Sequence, residues 1–343
     1  MEARLSGRST TGIETYRLKN DMGLCADIMN YGARIHRLFI PNNYGTFTDI
    51  VAGFDEIDDY RTPNPYFNAV IGRVANRIGK AKFILNDKTY ELNKNDNGNC
   101  LHGGLSGFND KMWKCENCSV IDGAPSVTLS YFSPDGEENF PGNLKISVTY
   151  TLKDNTFSIR YHAETDADTP CNLTNHAYFN LDGRFLTVRR HVVSINSHLI
   201  TQPDSELVST GKILDVSDTP LDFRAPKKIG RDCDSEYSLL KLAKGGYDFN
   251  YILENNDEPA ATAYSNYSGI TMSVKTDRPC LQFYTGNFLD GTIRGKKKFV
   301  YQSAFCMETQ GYPNACNVPE FPSDIITPEK PFDSTTVFSF KWE

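Results

Sequence analysis

The run Thr174-Asn175-His176-Ala177-Tyr178-Phe179-Asn180-Leu181 sets one of six histidines among amides, a hydroxyl and aromatic rings, a mixture that suits a polar pocket better than a packed core. An imidazole in such a pocket can give or take a proton near neutral pH, provided a partner of different proton affinity lies beside it. Glu308, in Phe305-Cys306-Met307-Glu308-Thr309-Gln310, is a candidate partner. Reference pKa values of about 6.5 for histidine and about 4.3 for glutamate let one donate while the other accepts. Two further segments place charge beside glycine. Gly72-Arg73-Val74-Ala75-Asn76-Arg77-Ile78 supplies an arginine pair, and Leu101-His102-Gly103-Gly104 supplies a second histidine where a missing Cβ lets backbone approach a ligand closely.

Each of these residues also has a plain structural use. His102 taken alone reads as a hydrogen-bonded structural side chain. Glu308 follows the apolar run Ala304-Phe305-Cys306-Met307, so its carboxylate either points outward or turns inward, where desolvation would raise its pKa and make it a useful base. Arg73 and Arg77 need not share a face, and either could sit in a salt bridge. Asp248, in Gly245-Gly246-Tyr247-Asp248-Phe249-Asn250, could cap a turn as readily as bind a ligand. If the segments from Gly72 to Gln310 form one site, most of the polypeptide must fold around it, and one domain is expected rather than two.

The elements that must position these residues read as strands. Asp122-Gly123, Asp135-Gly136, Asp182-Gly183 and Asp290-Gly291 carry the dipeptide that tolerates the positive φ of tight hairpins, so strands are expected beside many of them. Lys82-Phe83-Ile84-Leu85 and Lys88-Thr89-Tyr90-Glu91-Leu92 flank Asn86-Asp87 as one hairpin. Ser126 to Tyr131 and Lys145 to Leu152 alternate with period two, and Phe338-Ser339-Phe340-Lys341-Trp342 closes the chain as a strand. The best helical stretch is the short Ser235 to Leu242. The pattern predicts an all-β fold, a large antiparallel β-sandwich with few short helices.

Composition narrows the function. A hydrophobic fraction of 39% with 12% aromatics in 343 residues supplies a sizeable core, and a net charge of −7 disfavours nucleic acid or an anionic membrane as partner. Arg294 with Lys296-Lys297-Lys298 is the densest basic run and reads as a solvated turn. The amino terminus lacks the apolar stretch of a secretory signal and no segment approaches the ~18 apolar residues of a membrane span, so a cytoplasmic chain is expected. Nine scattered cysteines then read as reduced thiols, and Cys115-Glu116-Asn117-Cys118 lacks the second pair that a zinc site needs. No G-x-S-x-G, H-E-x-x-H, P-loop or G-x-G-x-x-G motif is present.

The ordered set Asn30-Tyr31-Gly32-Ala33-Arg34-Ile35, Gly-Arg-Val-Ala-Asn-Arg-Ile, Leu-His-Gly-Gly, Thr-Asn-His-Ala-Tyr-Phe-Asn-Leu, Gly245-Gly246-Tyr247-Asp248, Leu281-Gln282-Phe283-Tyr284-Thr285-Gly286-Asn287 and Cys306-Met307-Glu308-Thr309-Gln310 resembles the aldose 1-epimerase, or galactose mutarotase, family over essentially the full length. The resemblance implies a single-domain supersandwich over residues 1–343, a shallow sugar-binding cleft, and no cofactor or metal. It puts the general acid on His176 and the base on Glu308. Asn76, Arg77, His102, Asp248 and Gln282 fall on sugar-contacting positions, with Tyr178 following the acid. The implied reaction interconverts the α and β anomers of free aldohexoses, galactose and glucose. A phosphosugar epimerase on the same fold would need extra cations, for which Arg73 and the 294–298 run are the candidates; a sugar-binding protein without catalysis would need neither His176 nor Glu308. The chain departs from the family pattern at Asn68, Ala81 and Asn139, where glycine is usual, and at Phe249, where histidine is common beside Asp248.

Overall fold

Residues that alternate between apolar and polar give a strand one face for the core and one for water or a cleft. The computed structural model, which describes residues 1–254 and 256–343, joins such strands into three large antiparallel sheets. The widest has nine strands in the order Lys114–Ile121, Ala124–Ser133, Leu144–Lys153, Thr156–Thr165, Phe332–Trp342, Ile270–Thr276, Ala261–Tyr264, Val192–Ile195 and Lys227–Lys228. Its first four strands are sequential neighbours. The chain's final strand then enters between Thr156–Thr165 and Ile270–Thr276, so the middle of the sheet closes only when the last residues arrive.

A five-stranded meander runs from Glu2–Arg8 to Phe47–Asp49. The third sheet orders Ser209–Asp215, Leu199–Pro203, Asp248–Ile252, Cys280–Tyr284 and Cys306–Gln310. All three contribute to one apolar cluster: Leu18, Ile28 and Leu38 from the meander, Val148, Ile159 and Phe338 from the wide sheet, and Tyr251, Phe283 and Met307 from the third. Burying each such side chain contributes about 1.5–3 kcal/mol relative to exposure, so this cluster is the main term holding the sheets face to face.

The Lys82–Leu85 and Lys88–Glu91 hairpin forms as expected, with Asn86 and Asp87 at φ 50° and 59°. Asp122-Gly123 closes a hairpin between Ile121 and Ala124. The other three Asp-Gly pairs lie in longer connections. Among the described residues helix is confined to the short Ser238–Leu242 and scattered single turns. Asn68, Asn139 and Ala81 adopt φ of 56°, 68° and 49°, which explains the preference for glycine at these positions. Asparagine tolerates that left-handed conformation; alanine does so only with strain.

Candidate active site

The third sheet builds one wall of the site by simple alternation. Phe249, Tyr251, Leu281, Phe283 and Met307 face the apolar cluster, so the residues between them face the other way. In register, Asn250 stands opposite Gln282 and Gln282 opposite Glu308, which lines polar groups across three strands. Gln282 donates from Nε2 to Asp248 Oδ1 at 2.6 Å. Glu308 points inward and is only 2% exposed, and its Oε2 has no hydrogen-bond partner among the described residues. A buried acceptor left unpaired is costly unless a ligand satisfies it.

His176 arrives from the opposite side. Thr174–Asn175 pairs with Val70–Ile71, and beyond it the His176 N–H donates to Ala69 O at 2.9 Å while Asn68 N–H donates to His176 O at 2.9 Å. Asn68 also accepts the Tyr178 N–H at 2.9 Å through Oδ1, so its left-handed backbone anchors the whole segment. The imidazole then lies with Nε2 3.8 Å from Glu308 Oε1 and Nδ1 3.4 Å from Cys306 Sγ. The Tyr178 ring stacks on it at 4.9 Å with 9° between planes, and Tyr66 lies nearly parallel at 6.0 Å.

His102 follows Cys100–Leu101, which pairs with Arg77–Ile78. Its Nδ1 accepts the Asn76 N–H at 3.1 Å, so Nε2 must carry the ring hydrogen of the neutral form. Gly103 and Gly104 leave room for the Gly72 backbone and the Glu138 carboxylate rather than for a ligand. His102, His176 and Glu308 can bring one ligand atom each within 4.8 Å of the others, a spacing a metal could use. The His102 lone pair, however, already accepts from the Asn76 amide, which leaves Nε2 a donor and not a ligand.

All eight residues singled out from the sequence line one cleft of about 230 Å³: Asn76, Arg77, His102, His176, Tyr178, Asp248, Gln282 and Glu308. Sequence reading missed Pro65, Tyr66, Asp96 and Phe288, and left Leu101 and Tyr284 without a role. Asp96 pairs with Arg77 at 2.6 Å, and Tyr66 meets the His102 ring edge-on at 4.7 Å. Asp96 sits in Asn95-Asp96-Asn97-Gly98, whose composition signals only a turn, and Tyr66 follows Pro65 in an irregular segment.

Burial governs the electrostatics. It pushes the His176 imidazole down to about 3 and drives the Glu308 carboxyl well above the ordinary carboxylate range, with Asp248 raising Glu308 further and Arg77 opposing. His102 is held well below its usual value by burial, reinforced by His176 and Arg77. Asp248 is raised by burial against the pull of Arg77 and the Gln282 hydrogen bond. The site thus favours neutral forms of both His176 and Glu308, with one proton between them.

One expectation needs correction, at Lys296, and two open points are settled, at Arg73 and Phe249. Arg73 does not reach the cleft: it is 2% exposed and donates to Ser133 Oγ and to the carbonyls of Ser133, Pro134 and Pro141. Arg294, Lys297 and Lys298 are exposed, as a solvated turn requires, but the Lys296 side chain turns inward, is 7% exposed, and bonds to Asp49 at 2.7 Å and to His36 O at 2.6 Å. Phe249 faces the apolar cluster on the strand face opposite Asp248, so its replacement of histidine does not shape the cleft.

The chain and its fold have close counterparts. The chain is 40% identical to galactose mutarotase of Sus scrofa over 98% of its length and 95% of the relative's, and 40% identical to that of Homo sapiens over 96% and 94%. It is 32% identical to aldose 1-epimerase of Escherichia coli K12 over 94% of both chains. Among solved structures, galactose 1-epimerase from Lactobacillus acidophilus superposes with a TM-score of 0.88 at 26% identity, covering 99% of this chain and 98% of that one. An aldose epimerase homologue from C. elegans gives 0.87 at 29%, covering 95% and 98%. The aldose 1-epimerase family model matches residues 14–339, from the second strand of the meander into the final strand of the wide sheet, and the chain belongs to that family.

Proposed function

We propose that this protein interconverts the α and β anomers of free aldohexoses, galactose and glucose, with Glu308 and His176 as the proton-transfer pair. The observation that carries the reading is the 3.8 Å approach of His176 Nε2 to Glu308 Oε1 within a polar cleft. The two oxygens on C1 of a pyranose can each meet one of these groups.

With Glu308 ionised and His176 protonated, the carboxylate takes the proton of the C1 hydroxyl while Nε2–H gives its proton to the ring oxygen. The C1–O5 bond breaks and the open aldehyde forms. Both protein groups are then neutral, the form that burial also favours in the empty site, so the ionised pair costs energy to reach and gives it back on ring opening. Rotation about C1–C2 presents the other carbonyl face. On closure the Glu308 carboxyl returns a proton to the aldehyde oxygen and His176 takes one from the C5 hydroxyl. His102, a fixed Nε2–H donor, and Arg77 hold the reacting oxygens, and Asp248 with Gln282 accepts and donates hydrogen bonds to the remaining hydroxyls. Two positioned proton-transfer groups, each contributing roughly 10²–10⁴-fold, are sufficient for a reaction that already proceeds slowly in water.

A free sugar fits better than a phosphosugar. Among the described residues Arg77 is the one cation lining the cleft, and it is paired with Asp96. We further read residues 1–343 as one domain, because the cleft gathers residues from Pro65 to Glu308, and the largest apolar cluster runs from Tyr16 to Phe340. Nine free cysteines suit the cytoplasm, and no helix is long and apolar enough to cross a membrane among the described residues. The test is polarimetry of freshly dissolved α-D-galactose: the protein should speed the relaxation of optical rotation, and a rate equal to buffer alone would overturn the proposal.

A further inference from the structure

Cys306 and Glu308 lie two apart on the strand Cys306–Gln310, so both side chains leave the same face. They meet opposite ends of one ring: Cys306 Sγ is 3.4 Å from His176 Nδ1, and Glu308 Oε1 is 3.8 Å from His176 Nε2. Cys306 is fully buried, so water does not compete for Nδ1. Tyr178, stacked on the ring, fixes its plane but does not choose between its nitrogens.

A histidine that passes a proton at Nε2 must keep the hydrogen on Nδ1 in both charge states. Whatever faces Nδ1 must therefore be able to accept. We infer that Cys306 is a positioning residue whose sulfur accepts the His176 Nδ1–H, fixes that tautomer, and leaves Nε2 free to exchange a proton with the sugar. The inference rests on the reading of His176 as a proton-transfer group.

Sulfur is a weak acceptor, and here the weakness is useful. A carboxylate at this place would orient the ring more firmly, but it would bring a buried negative charge close to Glu308 and Asp248. Burial keeps Cys306 in its neutral thiol form, with Glu308 and Asp248 acting in the same direction, so the ring is oriented without added charge. The thiol hydrogen is free to rotate away from Nδ1.

Two variants separate positioning from packing. Cys306→Ser keeps a polar atom near Nδ1, whereas Cys306→Val fills a similar volume without one. With galactose as substrate, Cys306→Val should lower kcat about tenfold with KM within about twofold, and Cys306→Ser should retain most of the activity, a tenfold rate loss corresponding to about 1.4 kcal/mol. A packing role alone gives the reverse order, and that result, or a Val variant with unchanged kcat, overturns the inference. Nitrogen-15 NMR of histidine-labelled protein reads the tautomer without any turnover. A His176 signal of the Nδ1–H form that becomes mixed in Cys306→Val supports the inference, and an Nε2–H form in the unaltered protein overturns it. Failure of the His176 reading itself would show differently, as a His176→Gln variant with intact kcat.

Discussion

The two cleft histidines are equally buried, at 5% and 7% exposure, yet they are held in opposite senses. His176 follows the short strand Thr174–Asn175, and no residue from Thr174 to Tyr178 has positive φ. Its Nδ1 faces a thiol. His102 stands in a turn built from left-handed residues, with Asn76, His102, Gly103 and Gly104 at φ 64°, 53°, 91° and 109°, and its Nδ1 faces a backbone N–H. A backbone amide can only donate. It therefore locks the lone pair of His102 in place and makes Nε2 a permanent donor, whereas the sulfur beside His176 leaves its Nε2 free to change protonation. Identical side chains at matched depth thus differ in chemistry through what the backbone places behind them.

The same substitution at both positions breaks or supports this contrast most strongly. Glutamine can put a donor near the place of Nε2 but cannot transfer a proton at neutral pH. His176→Gln should lose roughly 10²–10⁴-fold in kcat with a KM for galactose that stays within a few-fold, the cost of removing a positioned general acid. His102→Gln should lose about tenfold or less. Equal losses would show that both rings shuttle protons; a His176 variant altered only in KM would make it a binding residue. Steady-state polarimetry on both variants decides between these outcomes.

In stability, by contrast, the two rings should behave alike. Each is held below its unfolded pKa of about 6.5, His176 at about 3. A depressed base contributes stability that is present above the unfolded value and is lost as pH falls toward the folded value. Replacing His176 by glutamine removes that contribution, so the stability gap between the unaltered protein and the variant should narrow by about 3 kcal/mol between pH 7.5 and 4.5. His102→Gln should change the gap with the same sign. Urea titrations at the two pH values measure both, and a gap that widens in acid would mean that the folded protein stabilises the imidazolium.

A phosphorylated sugar tests the charge on the cleft that the two rings share. With Arg77 paired to Asp96 and with Asp248 lining the same cleft, a C6 phosphate meets repulsion and no free cation among the described residues. The value of kcat/KM for glucose should exceed that for glucose 6-phosphate by at least about tenfold, or ~1.4 kcal/mol in the transition state. A side-by-side assay at fixed ionic strength checks it, and equal turnover would favour the phosphosugar reading.

How much of this could be read from the sequence depended on whether the partner was local. The amides and aromatics around His176 signalled a pocket, and period two placed Glu308 on the face opposite Met307. Whether that face met water was invisible, because it is covered by residues from the distant segments near Tyr66 and His176. Lys296 looked solvated among its lysines, but its partner Asp49 is 247 residues away. The strands were legible where alternation was strict, as in Leu144–Lys153. Asp-Gly pairs overstated the hairpins, since the dipeptide marks a positive φ and not whether the chain doubles back on itself. Phe249 looked like a departure within the cleft because adjacency in sequence is opposition across a strand.

The smallest expected effect probes the bent backbone on the His102 side. Ala81 lies close in sequence to Arg77–Ile78, the partner of the His102 strand, and is 1% exposed at φ 49° in a cluster with Val74, Ile78 and Phe83. Changing it to glycine removes left-handed strain of about 1–2 kcal/mol. It also removes a buried methyl, about 0.8 kcal/mol, and adds unfolded-state freedom of roughly 0.5–1 kcal/mol. The terms nearly cancel, so Ala81→Gly should lie within about 0.5 kcal/mol of the unaltered protein. Ala263, 0% exposed within the strand Ala261–Tyr264 and outside the positive-φ region, has no strain to relieve. Ala263→Gly should therefore cost about 1.5 kcal/mol, and the pair measured together by urea denaturation isolates the strain from the burial. If both substitutions cost the same, the backbone on the His102 side is no more strained than an ordinary strand, and the contrast between the two supports of the cleft reduces to the hydrogen bonds at the imidazoles.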